Sequence, residues 1–265
     1  MADITTFQSG DFDNSGKMNW RGDQVNIPNA QSIYKTSSVQ LAELGMRLVV
    51  GDRVFRYAKA LGTITPGLVC QKAAVDFANG ALGYDPNASA TCATAGQKTI
   101  GVVAFTTATA NQWAEASLIV QSGTAANCGQ MFRIKSHGST ASGGNIILSL
   151  YDEINHSIAT ADTFTLLAND YSSVTQCTTG ATTIAVGVCP TYATTNDYFW
   201  MQTWGPASVK NGAATKGMQV MADVTGQVVA QVVGTTANAA NQIVGYALHT
   251  MTASQYGGVY LTITP

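Results

Sequence analysis

Four residues near the start have the types and spacing of a calcium loop. Asp11, Asp13, Ser15 and Gly16 would fill its first, third, fifth and sixth places, which need oxygen ligands and a sharp turn. The twelfth place should hold a bidentate glutamate and is Gly22, so the segment reads as an Asx turn. The three histidines, His137, His156 and His249, show no pairwise spacing suited to one metal ion. Ser136, His137 and Asp152 have the residue types of a hydrolytic triad, but no nucleophile-elbow motif accompanies them. Gly138 to Gly144 is glycine-rich and lacks the Lys-Ser/Thr ending of a phosphate loop, so a mobile loop is expected there. The tripeptide Arg21-Gly22-Asp23 is expected by chance in many proteins and carries no adhesion function in this reading. The reading is of a protein that is not an enzyme, with no catalytic residue, no metal ligand and no cofactor.

Five cysteines, Cys70, Cys92, Cys128, Cys177 and Cys189, are odd in number and contain no Cys-x-x-Cys. That argues against a disulfide framework and a zinc site, and for buried free thiols in a reducing compartment. Cys177 and Cys189 flank a segment that could run as a strand and return, which would bring them within bridging distance. Tyr198, Trp200 and Trp204 could stack on sugar rings. Their place inside an apolar run favours a core instead.

The elements that would position these residues are short strands. Only 11% of the residues are charged, 46% are hydrophobic and the net charge is -2. Such a chain has no field to attract nucleic acid or an anionic membrane. No apolar run is long enough to span a bilayer, and the first residues lack the pattern of a signal peptide. Alternation predicts strands over Val39–Leu44, Met46–Val50, Arg53–Lys59, Thr99–Phe105, Ser117–Ser122, Met131–Lys135 and Asn145–Tyr151. Further strands are predicted at Phe164–Leu167, Thr183–Val188, Tyr198–Trp204, Gly226–Val232, Ile243–Leu248 and Val259–Ile263. Gly51-Asp52 reads as the turn of a hairpin. Leu68 to Phe77 is the one short helix expected, bounded by Gly67 and Asn79-Gly80.

The fold class expected is all-β, with β-sandwich or barrel-like modules and an extended N-terminal arm. The arm covers residues 1–35, a first β module 36–110 and a second, sandwich-like module 111–265. Thr106 to Ala110 reads as a linker or loop. The arm is turn-rich, yet it carries Phe7, Phe12, Trp20, Ile27 and Tyr34, apolar side chains with no local core. These five are the candidates for contact with a neighbouring subunit.

Several stretches resemble a pattern in the virion proteins of tailed bacteriophages. They are Ser32 to Ser38, Gly51 to Ala60, Met131 to His137, Leu148 to Asp152 and Tyr198 to Gly205, with Gly51-Asp52-Arg53-Val54-Phe55-Arg56-Tyr57 the most specific. The pattern is similar to that of capsid decoration, or cement, proteins. This resemblance implies a structural protein on the capsid exterior, made in the host cytoplasm. Its implied partners are the major capsid protein and copies of itself, as a homotrimer that ties neighbouring capsomers together. It carries no active-site residues with it. A receptor- or glycan-binding module of a head fibre is the alternative, and exposure of Trp200 or Trp204 would favour it. A major capsid protein would need a long spine helix and a charged extended loop, and neither is found.

Overall fold

The computed structural model describes residues 9–12, 18–20, 31–72, 82–84, 93–104, 106–123, 128–159, 162–177, 184–231 and 242–265. Among them the regular structure is strand alone, and the fold is all-β. The chain divides into two compact units, one of residues 1–74 and 170–265, the other of residues 75–169.

Strand β1 (Ser9–Phe12) pairs antiparallel with β2 (Met18–Trp20), placing Phe12 opposite Met18. The segment expected as an arm without folded structure thus contains a hairpin. Two short runs joined by turn-forming residues supply each other with backbone partners that an extended arm would leave to water. β3 (Arg47–Val50) and β4 (Arg53–Lys59) form the expected hairpin, with Val50 opposite Arg53. Gly51 has φ of 57°, the positive value that a two-residue hairpin turn requires.

Two expectations fail here. Val39–Leu44 is not a strand; it is an irregular segment whose Leu41 N–H donates to the Tyr57 hydroxyl at 3.1 Å. The described part of the expected helix contains β5 (Val69–Lys72) instead, and residues 73–77 lie outside the described residues. β5 has a strand on each side, and Val69, Cys70 and Gln71 are all buried, so it shows the unbroken apolar run of a covered strand.

The inserted unit is a closed barrel. Its strands are β6 (Leu82–Tyr84), β7 (Thr99–Val103), β8 (Ser117–Ser122), β9 (Met131–His137), β10 (Asn145–Leu150) and β11 (Thr163–Leu167). They close in the order β10-β7-β6-β11-β8-β9. Alternate residues fill the interior: Ile100 and Val102, Leu118, Phe132, Leu148, Phe164. Trp113 joins them from a turn and is fully buried.

The remaining strands return to the first unit: β12 (Val174–Gln176), β13 (Ala185–Val188), β14 (Tyr198–Ala213), β15 (Gln219–Ala222), β16 (Val228–Ala230), β17 (Ile243–Ala247) and β18 (Tyr256–Thr262). β12 lies beside β5, with Val174 opposite Lys72. The barrel is therefore an insertion between two neighbouring strands. The modules expected at 36–110 and 111–265 divide the chain differently from these units. β7, from the first of those modules, pairs with β10, from the second. Thr106 to Ala110 resembles a linker in composition, but Ala108 exchanges hydrogen bonds with Thr140 inside the barrel unit.

β14 is the organising strand of the first unit. It pairs in turn with β13, β4, β18 and β16. Because β18, β17, β15 and β16 also pair in series, the path from β14 through them returns to β14. Val209, Val220, Val228, Val244, Val259 and Leu261 are buried in one cluster on these strands. As expected, both faces of β14 are covered near its start: Phe199, Trp200 and Met201 are all buried.

Candidate binding face

Of the five predicted contact residues, Tyr34 alone has a described side chain. Phe12 and Trp20 lie on β1 and β2, while Phe7 and Ile27 fall outside the described residues. Tyr34 is 55% exposed. Its neighbour Ile33 is fully buried with Phe55, Tyr57 and Trp200, which fixes the backbone and turns Tyr34 outward. The Arg53 guanidinium donates to the Tyr34 hydroxyl at 3.2 Å, and Thr191 Oγ1 donates to the Tyr34 carbonyl at 3.1 Å. The end of the expected arm is thus part of the body. Gln31 secures it: its Nε2 donates to the Tyr198 carbonyl at 2.8 Å, and its Oε1 accepts from the Tyr57 hydroxyl at 2.8 Å. Trp200 is a core residue, with its indole N–H donating to the Gln31 carbonyl at 3.0 Å.

Trp204 differs from Trp200. It is half-buried, and its ring meets the edge of Tyr260 at 6.0 Å. Tyr260 stacks on Tyr246 at 5.2 Å with the rings 10° from parallel. The register explains this row. β18 pairs with β14 and β17 without interruption, placing Pro206 and Tyr246 on either side of Tyr260. Two residues along, Ser208 is opposite Gly258, and Leu248 N–H donates to the Gly258 carbonyl. Two further, Lys210 is opposite Tyr256. Successive side chains alternate, so Tyr256, Gly258, Tyr260 and Thr262 share the outer face, while Val259 and Leu261 enter the core.

The result is a shallow trough of about 420 Å3 along β18, lined by Pro206, Ser208, Leu248, His249, Tyr256 and Gly258 among others. The His249 ring closes one side, with Nε2 accepting from Gly258 N–H at 3.0 Å. Tyr256 stands at the end, its hydroxyl donating to the Pro66 carbonyl at 3.1 Å. Beyond Tyr256 a smaller recess of about 140 Å3 reaches Tyr34 and Arg53. Sequence reasoning missed Tyr246, Tyr256, Gly258 and Tyr260. The alternation Tyr256-x-Gly258-x-Tyr260 was the available signal.

The groups with possible acid–base chemistry are placed differently. His137 is buried, and both ring nitrogens are engaged. Trp113 N–H donates to Nε2 at 2.8 Å, and Nδ1 lies 2.6 Å from the Gly138 carbonyl, which assigns the proton to Nδ1. Burial lowers the His137 pKa below the usual imidazole value, with the Gly138 carbonyl opposing. With both nitrogens committed, it has none to act as a base on Ser136, and Asp152 is exposed. The loop at 138–144 is tied down: Gly143 N–H donates to the Ala104 carbonyl, and Ala104 N–H to that of Gly144. No group of three or more His, Cys, Asp or Glu side chains is gathered among the described residues.

Cys70, Cys177 and Cys189 are buried free thiols, and Cys128 is exposed. Burial pushes the Cys70 thiol well up and that of Cys189 up to about 12, so both stay protonated and inert. The expected proximity of Cys177 and Cys189 is not found. Their backbone amides bond to Val69 and Leu68, from opposite sides of β5. Two strand spacings put them on the order of 10 Å apart, beyond a disulfide's Cα reach of about 7 Å.

No helix among the described residues is long and apolar enough to cross a membrane. Compared with known proteins, the chain matches no family model, no curated protein and no solved structure.

Proposed function

We propose that the protein is a structural component of a tailed-bacteriophage head, bound to the capsid exterior as a decoration protein. In this reading it is a homotrimer, made in the host cytoplasm, that clamps neighbouring major capsid subunits and catalyses no reaction. The observation that carries the reading is the surface of the larger unit. Tyr34, Val39, Leu61, Ile184, Tyr192 and Val224 are each half or more exposed, in a chain with few charges. Large apolar side chains scattered over a neutral surface suit broad protein contact, because burying the exposed half of each in an interface is favourable by about 1 kcal/mol and few charges must be desolvated. A clamp works by repetition: contacts weak in one copy act together over a symmetric shell.

The test is a thermal DNA-release curve for decorated and stripped capsids, together with the copy number of the protein in purified virions. The expected results are assembly without the protein, earlier DNA release from stripped particles, and a copy number close to that of the shell subunit. Identical release curves, or absence from virions, would overturn the reading. Light scattering of the isolated protein tests the trimer, and a monomer both in solution and on the particle would remove it.

A further inference from the structure

We propose that the outer face of β14, β18 and β17 binds a neutral oligosaccharide, with Tyr256 in the trough and the stacked Tyr260–Tyr246 pair, two residues along β18 from Gly258, as its two aromatic stations. This goes beyond the decoration role and does not depend on it. The first argument is Gly258. Its φ is not in the left-handed region, and a Cβ there would meet only Leu248 at 3.5 Å and His249 at 3.6 Å, which are ordinary contacts. Neither backbone conformation nor packing therefore requires glycine at this place. A glycine inside a strand weakens it and marks a place where something approaches the backbone closely. Here the missing side chain is what opens the floor of the trough.

The chemistry of the trough and of the outer face beside it also favours a sugar. Tyr246 and Tyr256 keep 40% and 54% of their surface exposed, and Tyr246 is already held against Tyr260. Rings fixed in this way offer a face at little further entropic cost. Aromatic faces accept the apolar C–H face of a sugar, while hydroxyls at the rim take its polar edge. Ser208, an exposed residue, also lines the trough and carries a hydroxyl. The residues lining the trough carry no carboxylate or guanidinium, which favours a neutral ligand.

Geometry selects a chain over a single sugar. Tyr256 and Tyr260 are four residues apart on one strand, about 13 Å at the rise of a β-strand. The second station is out of reach of one ring bound at the first. An extended peptide fits less well, because β18 is paired on both sides and presents no free edge for strand addition.

The experiment is calorimetric titration of the full chain with gluco-, manno-, galacto- and N-acetylgluco-configured hexasaccharides, their monosaccharides, and a proline-rich decapeptide. At least one hexasaccharide should bind with a Kd of about 1 mM or tighter, and its monosaccharide at least about tenfold more weakly. Gly258→Val, which fills the floor, should weaken binding at least about tenfold and leave the melting temperature unchanged. Tyr256→Ser should weaken binding by as much, with some loss of stability from the hydrogen bond to the Pro66 carbonyl, and serves if the valine variant fails to fold. The proposal is overturned if no hexasaccharide binds, if Gly258→Val or Tyr256→Ser binds as the parent does, or if the peptide binds and the sugars do not.

Discussion

Replacing His137 by phenylalanine isolates one hydrogen bond in the barrel. The phenyl ring keeps the contact with Trp113, whose ring centroid lies 4.9 Å from that of the imidazole. It removes the Nε2 acceptor of the buried Trp113 N–H. Removing the acceptor of a buried amide hydrogen bond costs about 1–3 kcal/mol. For a unit of roughly 100 residues each kcal/mol lowers the melting temperature by about 4–8 °C, so the barrel transition should fall by about 4–24 °C. The same contact makes the parent protein sensitive to acid. Burial holds the folded pKa of His137 below its ordinary value of 6.5, so the unfolded chain takes up the proton first as pH falls. The contribution is complete above pH 6.5 and is lost as pH drops from there through the lowered folded value. The imidazolium has donors on both nitrogens, and one would confront the Trp113 N–H. The assay is calorimetric melting of parent and His137→Phe between pH 5 and 8. The difference between the two should be largest near neutrality and shrink on acidification. Equal melting temperatures at pH 7.5, or a difference independent of pH, would refute this account of His137.

Two further outcomes follow from connectivity. Replacing residues 75–169 by a short turn between Ala74 and Asp170 should leave the larger unit folded, since Lys72 and Val174 are already cross-strand neighbours and Lys72 Nζ pairs with Asp170 Oδ1 at 3.0 Å. A cooperative melt and an all-β circular dichroism spectrum would confirm it, and an insoluble or molten product would refute it. Protein aged in oxidising buffer should show no Cys177–Cys189 peptide by mass mapping, because β5 separates the two residues. Finding that peptide in folded protein would contradict the strand order.

The all-β class and the sites of most strands were legible because apolar residues alternate with others, as in Asn145 to Leu150, whose buried positions are Ile146, Leu148 and Leu150. Strand β5 was misread because burial on both faces erases alternation and leaves a run equally suited to a helix. β14 was legible only to Trp204. Gly205 and Pro206 look like terminators, yet the strand continues to Ala213. At that point it exchanges β4 for β18 as its partner; Gly205 has φ of 83°, and a Cβ there would overlap the Asp52 carbonyl. The barrel insertion was invisible, since Lys72–Val174 pairing joins residues about a hundred positions apart. Trp113 lies in a turn without periodicity, and its burial depends on tertiary packing alone. The trough was missed because Gly258 reads as a weak strand residue until its neighbours are known.

The nesting of the barrel between β5 and β12 has a consequence for the order of events during synthesis. β5 leaves the ribosome about a hundred residues before β12, its partner. If that interval stayed unstructured, closing it would cost loop entropy that grows by about 0.6 kcal/mol per doubling of length. The barrel is contiguous in sequence, so it can complete itself within the interval. Once formed, it holds Leu82 opposite Phe164 and leaves about twenty residues of the interval to close, a roughly fivefold shorter loop that favours the β5–β12 pairing by about 1.4 kcal/mol. The inserted unit then acts as an internal chaperone. Slow barrel formation would delay the sheet into which it is inserted, and a lesion such as His137→Phe would appear as slower folding of that sheet.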